Sequence, residues 1–142
     1  MSLRLPYYDL SAEALQHFRA IGAYLEKSTL GSELIELVYL RISQINGCAF
    51  CLKKHSKALR DKGFPQDKLD MVAGWHASDA YSPRERAALN WAEALTAVSG
   101  THAADADYAP LAAQFSAQEI SDLTFAIANM NALNRLAIAM RQ

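Results

Sequence analysis

The two cysteines of the chain lie in Asn46-Gly-Cys48-Ala-Phe-Cys51-Leu-Lys-Lys-His55, three residues apart, with a histidine four residues after the second. That spacing suits thiol redox chemistry. If Asn46-Gly47 ends one helix and Cys48 opens the next, both sulfurs fall in a first turn. There, unpaired backbone N–H groups and the positive end of the helix dipole stabilise a thiolate, the reactive form of cysteine. Positions i and i+4 share a helix face, so His55 sits one turn beyond Cys51 and can exchange a proton with it or with a reacting oxygen. Cys48, at i−3 from Cys51, can then close a disulfide.

A carboxylate can join this group. Glu36 is the acid within the aliphatic run Leu34-Ile-Glu-Leu-Val-Tyr-Leu-Arg-Ile-Ser43. In an antiparallel helical hairpin about Asn46-Gly47, a rise of ~1.5 Å per residue puts Glu36 roughly 16 Å before the turn and His55 roughly 13 Å after it. The two come level within one turn. A carboxylate there orients the imidazole, raises its basicity and helps hold the cysteine deprotonated.

Glutamate, eleven residues, then C-x-x-C-x-x-x-H resembles the active-site signature of AhpD-like alkylhydroperoxidases in the carboxymuconolactone decarboxylase superfamily. Leu40-Arg-Ile-Ser-Gln-Ile-Asn-Gly47, Tyr81-Ser-Pro-Arg-Glu-Arg-Ala-Ala-Leu-Asn-Trp-Ala-Glu-Ala-Leu-Thr96 and Asn131-Ala-Leu-Asn-Arg135 are similar to segments of the same family's core domain, so the resemblance spans most of the chain. It implies a thiol peroxidase with no bound metal or organic cofactor, in which Cys51 attacks an organic hydroperoxide and Cys48 resolves the sulfenic acid into a disulfide. Glu36 and His55 match the proton relay. It further implies a dithiol reductant, such as a lipoyl-bearing protein, and homo-oligomers, trimers or hexamers. The best-studied type carries a histidine before the second cysteine, where this chain has Phe50. An apolar side chain there dries the site, which by itself raises a thiol pKa and leaves the helix end, His55 and Glu36 to offset it.

Other chemistries compete for the same residues. Two cysteines and His55 on one helix face form three-quarters of a zinc site, whose fourth ligand would come from Glu36, His17, His76 or His102, none of them at a recognised metal spacing. A redox-sensing or small-molecule-binding protein could open and close the same pair slowly. A lyase or isomerase resembling the superfamily's name-giving decarboxylase would use Glu36 and His55 as acid and base and ignore the cysteines; the decarboxylase itself lacks the pair, which argues against that branch.

The elements that must position these residues read as helices throughout, because apolar spacing is helical and the breaks are glycine and proline. The chain is expected to be all-α. A first helix runs from an N-cap at Ser11 to about Lys27, burying Leu15, Phe18, Ile21, Gly22 and Leu25, and Leu30-Gly31 ends that unit. The Glu36 helix reaches about Ile45. The cysteine helix follows to roughly Lys62, stopped by Gly63-Phe-Pro65. Gln66 to Trp75 gives a short helix. Ser82-Pro83-Arg84-Glu85 reads as a capping box with proline at the first helical position, opening a helix to about Val98. Gly100 and Thr101 to Ala106 read as a loop. The last helix begins near Ser116, with Glu119 three residues on, and ends about Met140. Its apolar residues, among them Leu123, Phe125, Met130 and Ile138, surround it, so it is central or covered by another subunit. Tyr39 and Trp75 read as core or rim of the site. Asn129, Asn131, Asn134 and Arg135 read as hydrogen-bonding residues.

The 142 residues are enough for a single domain spanning 1–142. A net charge of −1, a pI near 6.4 and no basic cluster argue against nucleic acid as a partner. Met1-Ser-Leu-Arg-Leu-Pro-Tyr-Tyr-Asp-Leu10 has no run of signal-peptide length and no long apolar segment follows, so a soluble, cytoplasmic protein without membrane association is expected. In that compartment a close cysteine pair reads as redox or metal chemistry rather than a structural staple.

Overall fold

The computed structural model describes residues 2–142. Helices follow one another as α1 (Tyr7–Leu10), α2 (Ala12–Leu25), α3 (Ser32–Asn46), α4 (Ala49–Asp61) and α5 (Gln66–Asp70). A 3-10 segment (Val72–Ala77) leads to α6 (Pro83–Thr96), α7 (Val98–Thr101), α8 (Asp105–Ala112) and α9 (Ala117–Met140). No strand occurs among the described residues. None of their helices is long and apolar enough to cross a membrane.

α3 is the middle element. On one side Leu34, Ile35, Val38, Tyr39 and Ile42 join a core with α2, α6, α8 and α9; on the other, Leu37 and Leu40 pack with Leu59 of α4, Leu69 of α5, Trp75 and Leu89. A helix buried on two sides cannot shift without disturbing both cores, which makes it a rigid platform for Glu36. α9 is the second long contact of α3. Leu123, Ala126 and Ile127 are inaccessible to solvent, whereas Phe125 is 58% and Ile138 42% exposed. The all-round apolar pattern of α9 thus divides into a core stripe and an outward one.

The helix boundaries around the cysteines follow local chemistry. Gly47 caps α3 in the left-handed region at φ 71°, a conformation that costs glycine little and a side-chain-bearing residue more. Gly63, at φ 79°, closes the end of α4 similarly. Both serine capping boxes form, Ser82 with Glu85 and Ser116 with Glu119.

Four expectations need correction. Ser11 precedes α2 but makes no side-chain cap, because α1 stands before it and the Ser11 N–H donates to Tyr7 O. The helix expected over Gln66–Trp75 divides after Asp70, where Met71 at φ −89°, ψ 0° leaves the α-helical region. The α6 helix stops at Thr96, and the chain re-forms a turn from Val98. The loop expected over Thr101–Ala106 gives way at Asp105 to α8, which holds Pro110 within it. Burial of Leu111 at 0% exposure and of Phe115 beside it offsets the backbone bond that the proline cannot make.

The start of α9 is tied to the start of α6. Arg84 Nη2 donates to Glu119 Oε1 at 2.7 Å, and the Ser116 N–H donates to Glu119 Oε2 at 2.9 Å. The Arg84 guanidinium and the capping N–H hold the Glu119 carboxyl down at about 2, against an ordinary 4.5. A depressed folded-state pKa contributes stability above the ordinary value that is lost as pH falls through the depressed one. We therefore expect the urea midpoint to drop between pH 6 and pH 3, and to drop less in Glu119→Gln; equal slopes in the two proteins would refute the assignment.

Candidate active site

Cys48 is the N-cap of α4, and its sulfur accepts from the Cys51 N–H at 3.3 Å. Its own N–H donates to Ser43 O at 3.1 Å, so the turn hangs from the last turn of α3. The two sulfurs are joined in a disulfide, with the Cα atoms 5.3 Å apart. Cys48 is 1% and Cys51 4% exposed, and both pack against Ala137 of α9.

The hairpin of α3 and α4 brings Glu36 to His55. Glu36 Oε2 and His55 Nδ1 lie 2.7 Å apart, with the imidazole side chain 4% exposed and the carboxylate 21%. A carboxylate acceptor at that distance places the proton of a neutral imidazole on Nδ1 and leaves Nε2 with its lone pair for acid–base work. The Tyr39 ring meets the imidazole edge-on, with centroids 5.2 Å apart, and closes its other side. Burial, then the Glu36 and Glu26 carboxylates, push the Tyr39 phenol upward, so this hydroxyl stays protonated.

Buried amides fasten the cysteine turn to α9. Asn134 Nδ2 donates to Ser43 Oγ at 3.2 Å, and Ser43 Oγ donates to Tyr39 O at 2.7 Å. Asn46 Nδ2 donates to Asn131 Oδ1 at 3.0 Å and to Asn134 Oδ1 at 3.1 Å. These asparagines thus hold both ends of the α3 terminus from which Cys48 hangs. Asn129 donates to Phe18 O at 3.2 Å, and Arg135 to Asn131 O at 3.0 Å. Trp75 is core and lies apart from this site, bonded through Nε1 to Glu93 Oε1 at 2.7 Å.

Two cavities flank His55. The first, about 450 Å³, reaches Cys51 and is walled by Leu15, Phe50 and Ala137; the second, about 430 Å³, reaches Glu36 and Tyr39. Phe50, the second residue of α4, is 42% exposed and forms part of the first cavity's wall. The first and last described segments meet beside the first cavity: the Arg4 N–H donates to Met140 O at 2.8 Å, and the Tyr7 hydroxyl donates to Gln142 Oε1 within the cavity wall. The lining residues Arg19, Lys54, Tyr7 and Gln142 were not among those singled out from the sequence. Lys54, at i+3 from Cys51, carried a usable signal; the other three arrive by tertiary approach alone. Among the described residues no three histidine, cysteine, aspartate or glutamate side chains converge as metal ligands, and the expected candidates His17, His76 and His102 lie on exposed positions.

Residues 10–94 match the model of the carboxymuconolactone decarboxylase family. The chain is 31% identical over 140 residues to the uncharacterized protein YdfG of Bacillus subtilis, covering 99% of this chain and 95% of that one. It is 36% identical over 115 residues to the uncharacterized protein YnjA of Escherichia coli, covering 81% of this chain and 63% of the relative. A solved structure from Agrobacterium tumefaciens, of a protein of unknown function described as a candidate antioxidant defence protein AhpD, superposes with TM-score 0.95 at 37% identity, covering 99% and 97% of the two chains. An uncharacterized peroxidase-related protein from a Silicibacter species superposes with TM-score 0.82 at 26% identity, covering 92% of this chain and 70% of that one. By the matched family model and by relatives aligned over nearly its whole length, this chain belongs to the carboxymuconolactone decarboxylase family, as an AhpD-like member of that superfamily.

Proposed function

We propose that the protein is a thiol-dependent hydroperoxide reductase that cycles between a Cys48/Cys51 dithiol and disulfide. The Cys51 thiolate attacks the peroxide oxygen of ROOH; the O–O bond breaks, the sulfur becomes a sulfenic acid, and the departing alkoxide takes a proton from the His55–Glu36 pair to leave as ROH. The Cys48 thiol then displaces hydroxide from the sulfenic sulfur, which leaves as water with a proton, and the disulfide forms. An external dithiol, such as a lipoyl-bearing protein, reduces the disulfide by exchange and is itself oxidised.

The observation that carries this reading is a cysteine pair in bonding contact whose second member opens, together with His55, on one cavity of about 450 Å³, while Glu36 holds the other face of the imidazole at 2.7 Å. The descriptions of the Agrobacterium and Silicibacter relatives support it. On this reading the protein acts as a single domain and as a cytoplasmic homo-oligomer, for which the exposed Tyr24, Phe125 and Ile138 offer apolar contact surface.

The direct test is the second-order rate at which the reduced protein loses thiols to a substoichiometric alkyl hydroperoxide. A rate far above that of a free low-molecular-weight thiol, with a product two hydrogens lighter, is expected. An ordinary rate would favour a redox-sensing role for the same pair, and activity that survives loss of both cysteines would favour a lyase or isomerase.

A further inference from the structure

The two cavities beside His55 share five wall residues: Arg19, Lys54, His55, Met130 and Leu133. That shared wall holds two cations, two apolar side chains and no carboxylate. Several basic side chains are paired among the described residues, Arg41 with Glu93, Lys57 with Asp61, Lys68 with Glu85 and Arg84 with Glu119, while others such as Lys53 and Arg60 are not; what sets Arg19 and Lys54 apart is that both line both cavities. Arg19 and Lys54 make no ion pair or hydrogen bond among the described residues, although both are exposed and face a cavity. No acid of the region lines both cavities. Asp9 lines only the first cavity, Glu26 only the second, and Glu36 is committed to His55. On a chain of net charge −1, two uncommitted cations that line both cavities, beside a wall that includes Leu15, Phe50 and Ala137, are a charge left to be complemented by a ligand.

We infer that this groove binds an amphipathic carboxylate, with the carboxylate on Arg19 and Lys54 and the alkyl part along Leu15, Phe50 and Ala137 in the cavity where Cys51 opens. On the peroxidase reading above, on which this substrate assignment rests, the preferred hydroperoxide carries a carboxylate on its chain. The cations then fix which end of the molecule enters first, and so present the peroxide end to the sulfur.

The test is calorimetric titration of the full disulfide-form protein with octanoate and with 1-octanol, which share an alkyl chain and differ in charge. Octanoate is expected to bind about tenfold tighter, the scale of a pair of partly exposed ion pairs. In the double variant Arg19→Gln/Lys54→Gln the ratio of the two affinities should fall to near one. The neutral probe is the internal control for folding, since a misfolded variant loses both.

A ratio near one in the unaltered protein, or a ratio that survives the double variant, would overturn the inference. So would a double variant that moves only the pH profile of Cys51 alkylation, which would assign the cations to the thiolate. An octanoate signal that appears only as the sedimentation coefficient changes would assign the groove to a second copy of the chain and overturn it as well. Neither probe can be reduced, so the ratio is blind to turnover: absence of peroxide consumption counts against the peroxidase reading, and the ratio still decides this one.

Discussion

Cys51→Ser should abolish hydroperoxide consumption, whereas Cys48→Ser should consume one equivalent and stop. The difference follows from where each sulfur stands. Cys51 opens on the cavity beside His55, while Cys48 lies behind it at 1% exposure, capped under α3 and reachable in practice only by its partner. A serine hydroxyl at position 51 is far less acidic than a thiol and is a poor nucleophile toward a peroxide oxygen, so no sulfenic acid forms. With serine at position 48 the attack proceeds but nothing resolves its product, and intact mass should show one added oxygen. Stopped reactions with a single equivalent of alkyl hydroperoxide, read by residual peroxide and by mass, separate the two. Full turnover in Cys51→Ser would remove this cysteine from the mechanism. A Cys48→Ser protein that turns over as well as the parent would show that the resolving thiol comes from elsewhere.

The second large effect is expected at the proton relay. His55→Gln should lower kcat/KM for hydroperoxide by about 10² to 10⁴, the range of a lost general acid–base group, with the thiol pair intact. Glu36→Gln should cost less, because the amide still accepts from Nδ1 and keeps the ring oriented, losing only the carboxylate charge beside it. Since the two side chains are within 2.7 Å and act as one unit, Glu36→Gln/His55→Gln should be no slower than His55→Gln alone. Additive losses would mean that Glu36 works independently of the imidazole. The measurement should be kcat/KM for the parent and the three variants side by side; an unchanged kcat/KM in His55→Gln would leave His55 with a packing role against Tyr39.

Much of this site could be read from the sequence because two local signals bound it. Asn46-Gly47 marks a helix end that only a left-handed residue closes, and Cys48 follows as a cap, so the register of both helices about the turn is set by a constant rise per residue. That is why Glu36 and His55, nineteen positions apart, could be expected level with one another before any contact was seen. The helices with strong caps, α6 and α9, were equally legible. The misses share a cause. α8 has a proline and no side-chain cap, and owes its form to the burial of Leu111 against α6 and α9, a tertiary effect with no local mark. Likewise Arg19 and Gln142 reach the cavity from distant segments, and nothing in their neighbours announces it.

The bond between Arg4 and Met140 makes the first and last described segments neighbours in space, and Tyr7 and Gln142 from these segments line the cavity that Cys51 reaches. Between Arg4 and Met140 the described chain is thus nearly a ring whose seam lies beside its own chemistry. A polypeptide joined at either side of that seam starts out beside the cavity wall, so an affinity handle there competes with whatever enters. Linking Arg4 to Met140 through a short peptide and opening the chain at the exposed Gly63 turn would move that seam to the C-terminal end of the cysteine helix and away from the cavity wall.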